Sequence, residues 1–290
     1  MKLGLGTAQF GISYGISNKS GQVAAAEVGR ILQVAASGGI QILDTAAGYG
    51  NSETVLGASL TTAHNFSIVT KIPPLKTDQV RPEDVARLET AFYDSLRHLG
   101  QSSVYGLLVH HPADLLSSGG ERMYALLQRW KGEGLVRKIG VSVYDKDEVD
   151  RLFGKYTFDL VQLPLNVFDQ RLVHNGTLQQ LHQAGVEIHV RSAFLQGLLL
   201  MPSTALPPYF ATLKPHHEAY LDVLAQSGIS PIAGALGYFH NQPEVSTVLI
   251  GVETSAQLQE CLVATKDVPP LDFANFAVND PLMLDPRAWC

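Results

Sequence analysis

Eight short apolar or β-branched runs, spread over the whole chain and separated by amphipathic stretches, constrain what this sequence can fold into more than any other feature. They are LGLGT (3–7), IQIL (40–43), FSIVT (66–70), VYGLLV (104–109), VRKIGVS (136–142), FDLVQL (158–163), VEIHV (186–190) and VSTVLI (245–250). Between them, residues 24–38, 82–100, 120–134 and 175–185 carry helical patterns, several with Gly at or just past the end, where a helix readily stops. A strand followed by a helix, repeated, gives a parallel sheet buried on both faces. Eight such units in about 250 residues close into a (β/α)8 TIM barrel. No linker or composition shift divides the chain, and the stretch from Pro202 to Pro208 reads as a proline-bearing loop. The expectation is one domain: a barrel over residues 1–266 and an irregular tail over 267–290. Phe273, Phe276 and Trp289 make that tail apolar enough to pack on the barrel.

Composition narrows the partners. The net charge of −6 and the lack of clustered Lys and Arg argue against nucleic acid or an anionic membrane surface and leave small molecules. Cys261 and Cys290 cannot build a disulfide framework or a cysteine zinc site, and the histidines show no His-x-His or His-Glu-x-x-His spacing, so no metal is expected. The N-terminus lacks the pattern of a secretory signal, and no apolar run is long enough to span a bilayer. A cytoplasmic monomer is the expectation.

In a barrel of this kind the site is assembled where the strands end at their C-termini. Asp44 ends the second run, Tyr49 follows it in the turn LDTAAGYGNSE (43–53), Lys71 ends the third run, and His110 ends the fourth. All four can therefore converge on one mouth. A phenol with its ordinary pKa near 10 is a poor acid at neutral pH unless a cation stabilises its phenolate. Lys71 can be that cation, Asp44 can hold it in place, and His110 can donate a hydrogen bond to a substrate oxygen. Glu53, opening the next helix, reads as structural, its carboxylate serving the start of that helix.

With these residues placed, the sequence resembles the aldo-keto reductase family. DTAAGYGNSETVLG (44–57) is similar to that family's tetrad-bearing element, VHHP (109–112) to its histidine element, and GLVRKIGVS (134–142) to its fifth-strand stretch. Likeness extends through VQLPLNVFDQR, RSAFLQGLLL and VLIGVETSAQLQE, and covers residues 3–265. The resemblance implies a catalytic tetrad of Asp44, Tyr49, Lys71 and His110, hydride transfer between NAD(P)H and a carbonyl, and Tyr49 as proton donor. It also implies cofactor contacts from Gly6 and Thr7, from Asp44, Ser142 and Gln162 around the carboxamide, and from Arg191, Ser192, Phe194, Gln196 and Gly197 on the pyrophosphate and nicotinamide. The loop with Gly251, Glu253, Thr254 and Gln257 would clamp the adenosine side.

Departures from the pattern carry information. Val143 follows Ser142 where many members have Asn, and Arg191 stands where many stack a tyrosine on the nicotinamide. Glu253 replaces the Arg or Lys that NADPH-using members direct at the 2′-phosphate, so the expectation leans to NADH. The N-terminal hairpin that plugs the barrel bottom in many members has no counterpart here, and the tail is a candidate cover for that end or for the opposite mouth. Phe10, Tyr14, Asn166 and Gln170 are placed near the substrate, the polar ones suiting a hydroxylated, sugar-like carbonyl or alcohol. Two rival readings remain at this stage: a non-catalytic nucleotide-sensing subunit, as the potassium-channel β subunits of the family suggest, and a hydrolase or lyase using Asp44 and His110 without nucleotide.

Overall fold

The computed structural model describes residues 1–60, 64–266 and 271–289. Cys290 and the first residues of the tail, 267–270, lie outside them. Eight strands form a closed parallel barrel in chain order. They are β1 (Leu3–Gly6), β2 (Ile42–Asp44), β3 (Ser67–Ile72), β4 (Val104–Val109), β5 (Val136–Ser142), β6 (Leu160–Pro164), β7 (Glu187–Arg191) and β8 (Thr247–Gly251). Closure runs through the pairing of Leu3 to Gly6 with Val248 to Gly251. The (β/α)8 barrel expected from the alternation is thus the observed fold. Each expected run overlaps a strand: β4 and β5 keep both expected ends, and no other end shifts by more than two residues. β2 starts at Ile42 and runs one residue past the expected end, which brings Asp44 into the ladder opposite Val69.

The helices that cover the barrel are α1 (Ala25–Ser37), α2 (Ser52–Ser59), α3 (Pro82–Leu99), α4 (Glu121–Gly132), α5 (Lys146–Phe153), α6 (Thr177–Gln183), α7 (Lys214–Gln226), α8 (Pro231–Gly237) and α9 (Ser255–Ala264). Helix α3 shows the local chemistry most plainly. Proline sits in its first turn, acidic Glu83 and Asp84 face the positive end of the helix dipole, and Gly100 leaves it at φ 64°, a left-handed conformation that glycine adopts without penalty. Helix α6 starts two residues later than the pattern at 175–185 suggests. Asn175 turns its side chain onto the amide and hydroxyl of Thr177 and stays outside the helix.

Two apolar layers result. Val69, Leu108 and Leu160 pack inside the barrel, while a much larger cluster fills the space between strands and helices. At the N-terminal end of the barrel stands a polar group. Glu187 accepts from the hydroxyl of Tyr105 at 2.7 Å, pairs with Lys138, and meets Nε2 of the fully buried His189 at 2.7 Å. The tail runs across the opposite end. Val278 donates to the carbonyl of Phe168 at 2.8 Å, Gln170 to that of Phe273 at 2.7 Å, and the Trp289 ring meets Phe210 edge-on at 5.0 Å. Those partners follow β6 and β7, so the tail borders the mouth and leaves the barrel bottom to the Glu187 cluster.

Candidate active site

The loop between β2 and α2 is pinned from below. Ser52 donates to the carbonyl of Thr7 at 2.7 Å and shares hydroxyl contacts with Thr7 and Thr45, all three residues being fully buried. The short turn Ala8–Gly11 presses against it so closely that a Cβ on Gly11 would lie 1.8 Å from the carbonyl oxygen of Tyr49. Only glycine allows that approach. The result is a fixed Tyr49, not a mobile loop aromatic.

Around Tyr49 the four expected residues converge. Lys71 is fully buried; its Nζ donates to Asp44 Oδ1 at 2.6 Å and to the carbonyl of Thr45 at 2.8 Å, and lies 5.1 Å from the centre of the Tyr49 ring. Burial pushes the Lys71 ammonium pKa down, but Asp44 and Tyr49 outweigh it and raise it above the usual lysine value. Lys71 is therefore a permanent cation beside the phenol. Gln162 donates its amide to Asp44 Oδ2 at 2.7 Å, so both carboxylate oxygens are held. His110 meets Tyr49 edge-to-face at 5.7 Å, and burial, then the Lys71 charge, lowers its pKa to about 4. Its imidazole is neutral at pH 7, a donor to an oxygen rather than a second cation.

A cleft of about 290 Å³ opens from this constellation. Asp44, Tyr49, Gln162, Arg191 and Tyr14 stand at its inner end; Gly6, Thr7, Ser192, Phe194, Gln196 and Gly197 line its middle; Gly251, Glu253 and Gln257 line its outer end. The chain folds over its middle: Ile16 donates to the carbonyl of Gln196, and a Cβ on Gly197 would lie 2.0 Å from Ser17 Oγ. Ser192, Leu195 and Gln196 all have positive φ, and such strained backbone persists where surrounding structure holds it, often at ligand clamps. Lys71 and His110 flank Tyr49 without themselves lining the cleft. Ser142 is buried beside it, and the Thr254 hydroxyl is used to cap α9.

Several expected residues have other duties. Phe10 is buried in the outer core. Asn166 and Gln170 are buried too: the Asn166 amide donates to Ser192 and its oxygen accepts two backbone amides, while Gln170 donates to Val167 and Phe273. Of the polar trio placed near the substrate, only Tyr14 faces the cleft, its phenol raised to about 12 by burial and then by Tyr49. Glu53 is the acidic residue of the first turn of α2, and its carboxylate also accepts from Thr70 Oγ1 at 2.5 Å. The guanidinium of Arg191 lies 3.9 Å over the Tyr144 ring, whose centre is also 3.5 Å from the Arg287 guanidinium of the tail.

Other lining residues escaped the sequence reading. Glu260 and Cys261 follow Gln257 by three and four positions, so a helical reading of α9 puts them on one face and would have found them. Gln9, Ser17 and Ile232 reach the cleft only through the packing of separate elements, and nothing local marks them. Among the described residues no group of three or more His, Cys, Asp or Glu is disposed to hold a metal, and no helix is long and apolar enough to cross a membrane.

The family model described as "Aldo/keto reductase family" matches residues 2–277. No curated protein matches the chain. Among solved structures, the holo form of an aldo-keto reductase from Bacillus halodurans is 19% identical with a TM-score of 0.75, covering 93% of this chain and 88% of that one. A glycerol dehydrogenase from Gluconobacter oxydans is 22% identical with a TM-score of 0.70, covering 92% and 87%. At these identities the structural likeness speaks for the fold, and the family match spans nearly the whole length. The chain belongs to the aldo/keto reductase family.

Proposed function

We propose that this protein is an NAD(P)H-dependent oxidoreductase that reduces a small aldehyde or ketone, or oxidises the matching alcohol, with Tyr49 as the proton donor. The observation that carries the reading is the placement of Tyr49 between a buried Lys71–Asp44 ion pair at 2.6 Å and a neutral His110, at the inner end of the cleft. Shape and donor chemistry fit a dinucleotide. Glycines and short side chains line the middle of the cleft, and the Arg191 guanidinium stands at its inner end. Gln162, fixed through its amide nitrogen, keeps its carbonyl oxygen for a carboxamide.

Bound there, a reduced nicotinamide supplies the hydride. The chain supplies the proton and the charge control. Tyr49 Oη donates to the carbonyl oxygen as negative charge grows there, and the Lys71 ammonium stabilises the phenolate that is left. Asp44 keeps Lys71 charged in a dry environment. His110, neutral and edge-on to Tyr49, would donate a second hydrogen bond to a substrate oxygen that reaches past the phenol, without competing as an acid. Arg191 would stand at the nicotinamide end, and Ser192, Gln196 and Gly197 would hold the middle of the cofactor. Glu253 and Glu260, facing the outer end, favour a ribose hydroxyl over a phosphate, which supports NADH as the preferred form. Tyr14 beside Tyr49, together with the glycerol dehydrogenase among the structural neighbours, supports a hydroxylated substrate.

Fluorescence titration with NADH, run beside a carbonyl-reduction assay on wild type and Tyr49→Phe, tests this directly. The expected result is unchanged NADH affinity in the variant, with turnover reduced by roughly 10²–10⁴-fold, the size of a general-acid contribution. Failure of the wild type to bind either nucleotide would overturn the reading.

A further inference from the structure

The outer end of the cleft is built on the first turn of α9, and backbone amides at such a turn are a ready site for a phosphate. Here four of them are already engaged. Gln257 Oε1 accepts from Glu253 N at 2.7 Å and from Thr254 N at 3.3 Å, and the Thr254 hydroxyl accepts from Gln257 N at 3.2 Å. The fourth partner comes from far away in sequence. Glu27, on α1, places Oε1 2.6 Å from Ser255 N. Its other oxygen takes Arg30 at 2.6 Å through Nε. The Ser255 amide holds the Glu27 carboxyl below the usual carboxylate range, so the group is ionised at neutral pH. Glu253, Gln257 and Glu260 on the same turn and the next line the cleft itself.

We infer that Glu27 is a specificity-determining residue for the adenosine end of the cleft, its carboxylate occupying the α9 amide of Ser255 and disfavouring a ribose 2′-phosphate, so that NADH binds better than NADPH. The inference rests on the proposed dinucleotide site. A 2′-phosphate would meet a helix start whose dipole is already answered by a fixed carboxylate, with Glu253 adding like charge on the cleft side. A ribose hydroxyl meets no such conflict. Arg30 does not reverse the argument, because its cation is committed to Glu27 on the surface of α1.

The test is a parallel titration of the full chain with NADH and NADPH, comparing wild type, Glu27→Gln, Glu27→Ala and Arg30→Gln by nucleotide fluorescence. Glu27→Gln keeps an oxygen that can accept from Ser255 but removes the charge; Glu27→Ala also frees the amide. We expect NADH affinity to stay within about twofold in both. The NADPH-to-NADH Kd ratio should fall about threefold in Glu27→Gln and about tenfold in Glu27→Ala, the span expected for a charge at a helix start. Arg30→Gln should leave the ratio equal or raise it. A ratio unmoved by both Glu27 substitutions while NADH still binds would overturn the role of Glu27 and leave the oxidoreductase reading standing. Absence of binding by either nucleotide in wild type would overturn both.

Discussion

At the scale of single residues, the chemistry depends on one buried ion pair. Lys71 is fully buried, and a lysine there would lose its proton if Asp44 did not hold it at 2.6 Å. That pairing converts a residue that looks like a strand-end charge into the permanent cation beside Tyr49. His110 goes the other way, since burial and Lys71 together drive its pKa to about 4. Carbonyl reduction should therefore show no loss attributable to His110 between about pH 5 and 8, and should fall as the imidazole is protonated near pH 4. A kcat/KM profile of wild type against His110→Gln measures this; an inflection near 6.5 present only in wild type would contradict the neutral, buried histidine. In the sequence, Asp44, Tyr49, Lys71 and His110 were legible because each stands at or just past a strand-type run. Asn166 and Gln170 were misread because a polar side chain near a strand end looks the same whether it faces a substrate or satisfies backbone amides. Its partners, here Ser192 and Phe273, are set only by packing.

At the scale of elements, backbone proximity aims the site. The Ala8–Gly11 turn touches the Tyr49 carbonyl so closely that Gly11→Ala must push the catalytic turn aside. We expect turnover to drop at least about tenfold with dinucleotide affinity little changed, because displacement of a reacting group by about 1 Å costs as much as 10² in rate. Gly29→Ala in the middle of α1 is the control. A Cβ there meets nothing within 4 Å, so that variant should keep full activity and gain up to about 1 kcal/mol in urea unfolding. Equal activity in both variants would remove the Gly11 contact from the account. Element types and rough bounds were readable from periodicity and Gly placement. Helices α7 and α8 were not singled out, since they follow a long irregular connection of short 3-10 turns after β7 that hides their start.

At the scale of the whole molecule, the two ends of the barrel are closed by different chemistry. The tail borders the mouth, where Arg287 stacks on Tyr144 opposite Arg191. The other end is held by Glu187 with Tyr105, Lys138 and His189. Burial pushes the Glu187 carboxyl up, but hydrogen bonds from His189, Lys138 and Tyr105 outweigh it and bring the pKa down from 4.5 to about 2. Between those two values the unfolded chain binds the proton and the folded one does not, so stability from this cluster is complete above about pH 4.5 and is lost as pH falls toward 2. Urea unfolding of wild type should steepen its loss of stability across that window, and Glu187→Gln should flatten it while lowering stability at pH 7. A variant curve parallel to wild type would show that the cluster does not carry the acid sensitivity.

The sequence by itself determined the barrel, its strand order and the four residues at the strand ends, because those follow from local periodicity and from the rule that parallel units wind in succession. Tertiary structure alone decided what no local pattern encodes: the Glu27 cap on a helix 228 positions away, the Glu187 cluster at the closed end, and the side of the barrel on which the tail lies. Each is a contact between elements far apart in the chain. Which side chain meets which there is settled by the packing of the closed barrel and its helices, not by the residues on either side.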